Sequence, residues 1–341
     1  MFDFDFLKQG NRLHQFWPDF LKHQKFSILD RQGSHELLYY KSSAKKYSRP
    51  IFIIPSMISH YYILDLQEDK SLINYLNQNG HDVYVLNWGL PTTDDQFMDF
   101  NSLLLNRIPY FIEQVLKHSK QEDLNLMGHC LGGTIAAMYA SLNKKEIKSL
   151  FLLTAPLDFS INSKLSEWIN TGTVNYKMLI DSFGNIPWPV LHSSFLMLKP
   201  LSQYSRLKKY FQTKMTDEQK RNYWSLELWS HDSVAFRGGC YMNLIYDLYM
   251  KNSFSRGTFQ LSNYEFADLN NIKTPTLLIA SDSDHIVPLE SAFLNSNYLR
   301  HAQVTRYQYS GGHVSCLVHK KTQMDLWPKI NQWIGSQNDN N

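Results

Sequence analysis

The chain has 341 residues, of which 43% are hydrophobic and 19% charged, and its formal net charge is only +3. This length is enough to bury one large hydrophobic core or two smaller ones. So weak a charge argues neither for nor against nucleic acid. Because the basic residues are scattered and form no stripe, we expect no nucleic-acid partner.

The cysteine content and the N-terminus indicate the compartment. Cys130, Cys240 and Cys316 are too few for a disulfide framework in a chain of this length, and they suit a reducing environment. The first ten residues, MFDFDFLKQG, carry acidic side chains where a signal peptide needs basic ones. No run approaches the ~20 apolar residues of a membrane span. We therefore expect a cytoplasmic protein without a transmembrane segment.

Strand and helix patterns alternate along much of the chain. Residues 1–48 mix aromatic side chains with lysines, and we assign them no element. From residue 50, buried β-branched runs alternate with longer segments of helical period, which predicts a mostly parallel sheet covered by helices on both faces. The predicted strands are 51–54, 83–86, 124–127, 150–153, 276–280 and 304–309. The predicted helices are 71–79, 103–118, 134–142, 289–298 and 323–334.

An aromatic-rich block interrupts this alternation between about Pro156 and Asp268. It contains helical stretches, four tryptophans and no clear strand. The simplest interpretation is a lid inserted over the C-terminal edge of the sheet, where open α/β sheets bind ligands. The alternative is an ordinary second helical domain. The predicted division is an N-terminal segment 1–48, a core of 49–156 with 268–334, a lid of 157–267 and a polar tail of 335–341.

The stretch Gly128-His129-Cys130-Leu131-Gly132 has the spacing of the hydrolase elbow G-x-S-x-G, with cysteine in place of serine. A predicted strand precedes it and a predicted helix follows, which is the context that the elbow requires. The glycines leave room for a tight turn, and the helix N-terminus directs its N–H groups at developing negative charge. A free cysteine is mostly protonated at pH 7, so it needs a base. We predict that Cys130 is the nucleophile; the alternative is a buried structural cysteine.

The acid and the base of this fold follow the nucleophile in the order acid, then histidine. The predicted strand that ends at Ala280 is followed by Asp282 and Asp284. We predict Asp284 as the acid and keep Asp282 as the second candidate. The last predicted strand ends at Tyr309, and His313 follows it after two glycines. We therefore predict His313 as the base.

An oxyanion hole needs two backbone donors in this fold. One is the N–H that follows the nucleophile, which belongs to Leu131. The other comes from the loop after the first predicted core strand, residues 55–58, and we predict Met57.

Three further residues near these candidates invite alternative roles. His129 and His285 are expected to line the turn or the pocket rather than transfer protons. Cys316 is expected to be a small buried side chain rather than a second nucleophile. No cluster of Cys, His and Asp has the spacing of a zinc site, so we predict no metal.

Several separate stretches between about Pro50 and Ile334 resemble the polyhydroxyalkanoate (PHA) synthases, the poly(3-hydroxyalkanoate) polymerases. Among them are the cysteine-containing lipase-like box and a D-V-Y-x-x-D-W-G motif, in which Asn87 replaces the second Asp. Ser315 stands where many relatives have glycine, and residues 1–48 match poorly. The matching stretches are residues 55–58, 61–66, 82–89, 128–134, 184–187, 229–233 and 284–288.

The resemblance implies an α/β-hydrolase fold and an acyltransferase that polymerises 3-hydroxyacyl-CoA, of short chain such as 3-hydroxybutyryl-CoA, with release of CoA. The family's nucleophile, acid and base correspond to Cys130, Asp284 and His313. CoA is then part of the substrate, and no cofactor is expected. The length and C-terminal segment are most similar to the short two-subunit (class III/IV) synthases. This similarity implies a second synthase subunit, a homo-oligomer and work at the surface of PHA granules.

A cysteine nucleophile suits this chemistry, because it exchanges one thioester for another and keeps the acyl group activated. Asp284 either orients His313 or assists deprotonation of the hydroxyl that attacks. A cysteine-dependent esterase or PHA depolymerase would use the same fold and triad, and only its access to water would differ. A third possibility is a non-enzymatic paralogue that binds granules or a partner, against which the intact triad argues.

Overall fold

The computed structural model describes residues 21–172, 174–198 and 215–339 of the chain. A central sheet of eight strands organises the described residues, and helices pack on both of its faces. The strands are β1 (Ser27–Gln32), β2 (His35–Tyr40), β3 (Ile51–Ile54), β4 (Val83–Asn87), β5 (Leu124–His129), β6 (Ile147–Leu153), β7 (Thr276–Ser281) and β8 (Val304–Tyr309).

The strands lie in the order β1-β2-β4-β3-β5-β6-β7-β8. The six strands from β3 to β8 are mutually parallel, whereas β1 and β2 form an antiparallel hairpin that pairs with β4. The carboxyl ends of β3, β5, β7 and β8 therefore meet at one edge of the sheet. The predicted fold class, a mostly parallel α/β sheet, is confirmed.

Burial on both faces explains why the central strands are apolar throughout. In β3, Phe52 and Ile54 pack into the core on one face, and Ile51 and Ile53 pack into the core on the other. All four side chains are almost fully buried. A strand covered on both faces needs apolar residues on both sides. These strands therefore appear in the sequence as continuous apolar runs.

The hairpin β1–β2 is an addition to the predicted sheet. We assigned no element to residues 1–48, yet two strands of the sheet lie there. β1 is the edge strand, and its side chains are half-buried or exposed. Its sequence, SILDRQ, therefore lacks the apolar run that marks the central strands.

The helices follow the predicted order with different ends. The helix predicted at 289–298 stops at Phe293, because Leu294 takes a positive φ of 56°. The last helix continues to Asp339, through most of the predicted polar tail. Arg49 donates a hydrogen bond to the carbonyl of Gln337, which ties this end to the core. The core helices are α1 (Leu72–Gln78), α2 (residues 100–119), α3 (Leu131–Ala140), α9 (Leu289–Phe293), α10 (Ser315–Val318) and α11 (Lys320–Asp339).

The segment predicted as a lid is mostly helical where it is described. Its only strands among the described residues are the short pair Phe259–Gln260 and Phe266–Ala267. Two isolated bridges, Ser59 to Ser233 and Ile186 to Phe236, also form here. The helices are α4 (Lys164–Asn170), α5 (Tyr176–Phe183), α6 (Trp188–Leu198), α7 (Asp217–His231) and α8 (residues 238–250).

The end of α7 is attached to the loop that follows β3. The Tyr62 hydroxyl donates to the buried Asp232 carboxylate at 2.6 Å, and Trp229 Nε1 donates to the carbonyl of His60 at 3.0 Å. Within the described part of the chain, no helix combines the length and apolarity needed to cross a bilayer.

Three buried histidines make the folded state sensitive to acid. Burial lowers the pKa of His35 to about 3, of His81 to about 4 and of His129 to about 3. The unfolded chain has ordinary histidine pKa values near 6.5 and so binds more protons below that pH. The free energy of unfolding should therefore fall as the pH decreases from 6.5 towards 4.

We expect His35→Phe to reduce this acid sensitivity. The His35 ring packs edge-on against Trp88 and Phe111, and neither of its nitrogens has a hydrogen-bond partner in the described structure. Between pH 7 and 5, the variant should lose about 2 kcal/mol less unfolding free energy than the parent. Urea denaturation at both pH values measures this difference. Replacing the exposed His301 with glutamine should change nothing, and an equal loss in His35→Phe and the parent would contradict the prediction.

Candidate active site

Cys130 lies at a sharp bend between β5 and α3. Its backbone has φ 53° and ψ −130°, a conformation that side-chain-bearing residues rarely adopt. The bend is held by the Cys130 N–H, which donates to the carbonyl of Leu153 at 2.9 Å. The Cys130 side chain is only half-buried. This geometry presents the thiol at the carboxyl edge of the sheet.

Two glycines of the elbow are required by close packing. A Cβ at Gly128 would overlap the Cα of Gly133, and a Cβ at Gly132 would overlap the carbonyl oxygen of Pro55. Each of these contacts is with backbone, which cannot move aside cheaply. The motif spacing is thus a consequence of how tightly α3 approaches β3 and β5.

We expect Gly132→Ala to destabilise the protein by about 1–3 kcal/mol, because the added methyl group forces the elbow away from Pro55. Thermal unfolding measures the effect. Gly312→Ala is the control for stability, because its Cβ would meet only the hydroxyl of Ser315, at an ordinary contact distance of 3.7 Å. Parent-like stability of Gly132→Ala would contradict the steric explanation.

His313 and Asp284 form a buried hydrogen-bonded pair. Nδ1 of His313 donates to Oδ2 of Asp284 at 2.6 Å. The other carboxylate oxygen accepts the backbone N–H groups of Ile286 and Val287, at 2.8 and 3.0 Å. The side chains of His313 and Asp284 are 9% and 1% exposed. The acid is therefore held rigidly and orients the imidazole with Nε2 away from it.

The charges of the pair shift both pKa values. Burial raises the pKa of the Asp284 carboxyl. The charge and hydrogen bond of His313 lower that pKa by a larger amount, so it lies below its ordinary value. Burial lowers the pKa of His313, while the charges of Asp284 and Cys130 raise it, and the net pKa is well above 6.5. Asp284 thus stabilises the imidazolium that forms when His313 accepts a proton.

Asp282, the second candidate acid, points elsewhere. It is exposed, and its two oxygens accept hydrogen bonds from the hydroxyls of Ser283 and Ser310, both at 2.7 Å. Of the two predicted acids, only Asp284 contacts His313 among the described hydrogen bonds.

Cys130 and His313 line the same cavity at the carboxyl edge of the sheet. Nε2 of His313 makes no hydrogen bond with any residue that the structure describes. The structure thus brings the predicted nucleophile, base and acid together. Their assignment to catalytic roles remains a prediction.

The two predicted oxyanion donors, Leu131 and Met57, lie on different elements. Leu131 is the first residue of α3, where a helix leaves backbone N–H groups without internal acceptors. Met57 lies in the loop after β3, with its side chain fully buried. The next N–H along the loop, that of Ile58, already donates to the hydroxyl of Ser56 at 3.3 Å. The donor role of Met57 therefore stays a prediction.

His129, His285 and Cys316 lie close in sequence to the three predicted catalytic residues. His129 is buried, and its ring centroid lies 6.0 Å from that of His313. Burial, together with the charge of His313, lowers the pKa of His129 to about 3, so it is neutral at pH 7. His285 lines the cavity. Burial raises the pKa of Cys316 to about 12, which keeps it a thiol.

Tyr309 is a residue that the sequence analysis missed. Its buried hydroxyl lies 3.0 Å from the carbonyl of His313 and 3.2 Å from that of Gly312, and it donates to both. Ser281 also donates to this loop, at the carbonyl of Gly311. No motif marks these contacts, because a side chain that binds a nearby backbone carbonyl has no characteristic spacing in sequence.

Two cavities meet at the Cys130 thiol. The first, which we call the mouth cavity, has a volume of about 320 Å³ and is lined by serines and histidines as well as apolar residues. The second, the lid cavity, has a volume of about 390 Å³ and is lined mainly by apolar and aromatic side chains of the lid helices. The residues that line both are Ile58, Cys130, Leu191, Phe195 and Ile286.

Within the described residues, no group of three or more His, Cys, Asp or Glu side chains is arranged to hold a metal ion. The prediction that the reaction uses no metal rests on the sequence and the triad chemistry.

Comparison with solved structures identifies the fold. Monoglyceride lipase from Saccharomyces cerevisiae superposes with a TM-score of 0.56 at 14% identity, covering 92% of this chain and 95% of the lipase. Monoacylglycerol lipase from Paleococcus ferrophilus gives 0.53 at 17% identity, covering 89% and 99%. At these identities the likeness concerns the fold alone. Residues 49–320 also match the sequence profile of the alpha/beta hydrolase fold family.

Sequence comparison identifies closer relatives. The poly(3-hydroxyalkanoate) polymerase subunit PhaC of Synechocystis is 31% identical over 297 residues, which cover 84% of this chain and 78% of the relative. The PhaC subunit of Allochromatium vinosum is 29% identical, covering 84% and 81%. The PhaC subunit of Haloarcula marismortui is 28% identical, and this chain spans 67% of its length. This chain spans 64% of the length of the PhaC subunit of Haloferax mediterranei.

The family profile covers the elbow and the segments that carry the predicted acid and base. The PhaC relatives confirm the family resemblance that the sequence motifs indicated. The chain therefore belongs to the alpha/beta hydrolase fold family and, within it, to the poly(3-hydroxyalkanoate) polymerases.

Proposed function

We propose that this protein is an acyltransferase that polymerises 3-hydroxyacyl-CoA into polyester through an acyl group carried on Cys130. The observation that supports this most directly is a cysteine at the elbow bend, in the same cavity as a histidine that an aspartate orients. The relatives named poly(3-hydroxyalkanoate) polymerase support the reaction class. We further propose short-chain units such as 3-hydroxybutyryl-CoA.

Sulfur at the elbow preserves the energy of the substrate. The substrate is a thioester and the product an oxygen ester, so capture on a serine would form the lower-energy ester before any chain grew. Capture on Cys130 exchanges one thioester for another. The acyl group then remains activated until a hydroxyl group attacks it.

The first half-reaction forms the acyl-cysteine. Nε2 of His313 takes the proton of the Cys130 thiol, and the thiolate attacks the thioester carbonyl. The N–H of Leu131 and a donor near Met57 hold the oxyanion, each worth about 3 kcal/mol of transition-state stabilisation. As the intermediate collapses, the bond to the CoA sulfur breaks, and the imidazolium of His313 returns the proton to CoA.

The second half-reaction forms the ester. The 3-hydroxyl of another 3-hydroxyacyl-CoA loses its proton to His313, and its oxygen attacks the acyl-cysteine. The Cys130 sulfur leaves and regains the proton from His313. The lengthened chain, now a thioester of CoA, returns to Cys130 by the first exchange. In this scheme Asp284 keeps the imidazole oriented and stabilises its charged form.

Water must be kept from the acyl-cysteine, or the chain is lost as free acid. Apolar side chains of the lid helices line both cavities together with Cys130. We propose that residues 157–267 act as the lid that excludes water and opens for the product.

We also propose that this chain works together with a second synthase subunit. The relatives from Synechocystis and Allochromatium vinosum are each named as a polymerase subunit. We propose that this chain is the catalytic subunit of such a complex, forms a homo-oligomer and works at the surface of polyester granules.

The test is product analysis with 3-hydroxybutyryl-CoA as substrate, with and without a candidate second subunit. Free CoA should appear together with poly(3-hydroxybutyrate), quantified as crotonic acid after acid digestion. Free CoA with 3-hydroxybutyrate as the main product would assign a cysteine-dependent hydrolase instead. Failure to release CoA under either condition would refute the proposed reaction.

A further inference from the structure

Three tyrosines stand out among the apolar residues that line the lid cavity. They are Tyr176 on α5 and Tyr241 and Tyr249 on α8, and we call them the lid tyrosines. Tyr176 and Tyr241 are 7% and 8% exposed, and Tyr249 is half-buried. Cys130 also lines this cavity.

Aromatic packing fixes the rings of the lid tyrosines. The rings of Tyr176 and Tyr241 meet edge-on with centroids 6.2 Å apart, and Phe236 packs edge-on against Tyr241 at 5.9 Å. Phe159 packs in the same way against Tyr249 at 5.0 Å. The hydroxyl groups are therefore carried on rings with little freedom to turn elsewhere.

None of the three hydroxyl groups has a hydrogen-bond partner among the described residues, where other buried tyrosines such as Tyr62 and Tyr139 do. An unpaired hydroxyl in an apolar cavity is unfavourable unless something in the cavity pairs with it. The arrangement therefore points to an occupant with hydrogen-bond acceptors.

The lid tyrosines remain donors across the working pH range. Burial raises the pKa of Tyr176, Tyr241 and Tyr249 above the ordinary value, and for Tyr249 the charge of Cys130 adds to the effect. Each phenol thus keeps its proton. A neutral ligand that accepts hydrogen bonds suits such a site better than an anion, because no cationic side chain lines the lid cavity among the described residues.

We infer that the lid tyrosines bind the ester carbonyl groups of the growing polyester, which extends from its thioester on Cys130 into the lid cavity. A polyester chain has apolar side groups and regularly spaced carbonyl acceptors, and its backbone contains no donor. The cavity offers the complement: apolar walls with three phenol donors. This inference rests on the proposed function and names the chain-binding site for it.

A simple alkyl tail is the competing occupant. It would fill the apolar cavity equally well, but it would leave the three hydroxyl groups unpaired. Replacing tyrosine by phenylalanine separates the two, because the substitution removes the donor and keeps the ring. An alkyl-binding cavity should tolerate the change, and an ester-binding cavity should not.

The experiment measures binding without turnover, in protein that carries Cys130→Ala. Calorimetric titration uses two probes: an acetyl-capped linear trimer of 3-hydroxybutyrate methyl ester, and methyl octanoate, which has one carbonyl. Tyr176→Phe, Tyr241→Phe and Tyr249→Phe should each weaken trimer binding about 3- to 10-fold and leave methyl octanoate unchanged. Tyr264→Phe, at a 95% exposed position, is the matched control and should change neither affinity.

Three results would overturn the inference: no binding of the trimer, no loss in any of the three variants, or an equal loss for both probes. Unchanged melting temperatures show that each variant is folded. The proposed function is tested separately by polymer formation in the parent protein. Tyrosine-dependent trimer binding in a protein that makes no polymer would refute the synthase reaction and retain the ester-binding site.

Discussion

Replacing Cys130 with alanine is expected to lower the rate of CoA release from 3-hydroxybutyryl-CoA by about 10⁴-fold or more, because no other group can form the acyl intermediate. The substitution removes one sulfur atom at a half-buried position. Its effect on stability should be small by comparison. The loss should therefore appear in kcat, with the melting temperature close to that of the parent.

Cys240→Ala is the matched control for the nucleophile. Cys240 is fully buried in α8, and burial raises the pKa of its thiol above the ordinary value. CoA release should remain close to the parent level in this variant. Labelling provides a second readout: incubation with radioactive 3-hydroxybutyryl-CoA and an acid quench should trap label on the parent and not on Cys130→Ala. Parent-like turnover in Cys130→Ala would remove the cysteine from the mechanism.

Replacing Asp284 with asparagine is expected to lower kcat by about 10³- to 10⁴-fold. The carboxylate accepts a hydrogen bond from Nδ1–H of His313 and stabilises the imidazolium. A neutral amide stabilises the imidazolium poorly. Without the charge of Asp284, the pKa of His313 should fall. The imidazolium that forms during the reaction would then be less stable.

The pH dependence of stability provides an independent check of the Asp284 assignment. The pKa of Asp284 is lower in the folded protein than its usual 3.8. Its contribution to stability is thus fully present above about pH 4 and is lost as the pH falls through the folded-state pKa. Asp284→Asn should therefore be less stable than the parent at pH 7, and the difference should shrink in strong acid.

Asp282→Asn is the control that distinguishes the two candidate acids. Asp282 is exposed and bonded to two serine hydroxyls, so its substitution should leave kcat near the parent level. The same steady-state assay at pH 7 compares both variants. A larger loss in Asp282→Asn than in Asp284→Asn would reverse the assignment of the acid.

Local sequence patterns were sufficient for the central sheet and for the order of the site residues. The six parallel strands are buried on both faces, and burial of that kind requires continuous β-branched and apolar runs that are visible without a structure. The elbow was equally readable, because a turn in which a Cβ at Gly132 would strike Pro55 tolerates only glycine there. Once the fold class was inferred, chain order alone pointed to an acid after β7 and a histidine after β8.

Other features depended on the tertiary structure, because they arise from contacts between residues distant in sequence. The edge strand β1 has no apolar run, since its side chains are half-buried or exposed. Asp282 and Asp284 follow the same strand, and only the direction of each side chain relative to His313 separates them. The junction of two cavities at Cys130 requires lid helices from α4 to α8 to converge on the carboxyl edge of the sheet. Local propensity and periodicity report which face of an element is buried, whereas packing between elements decides what each buried face meets.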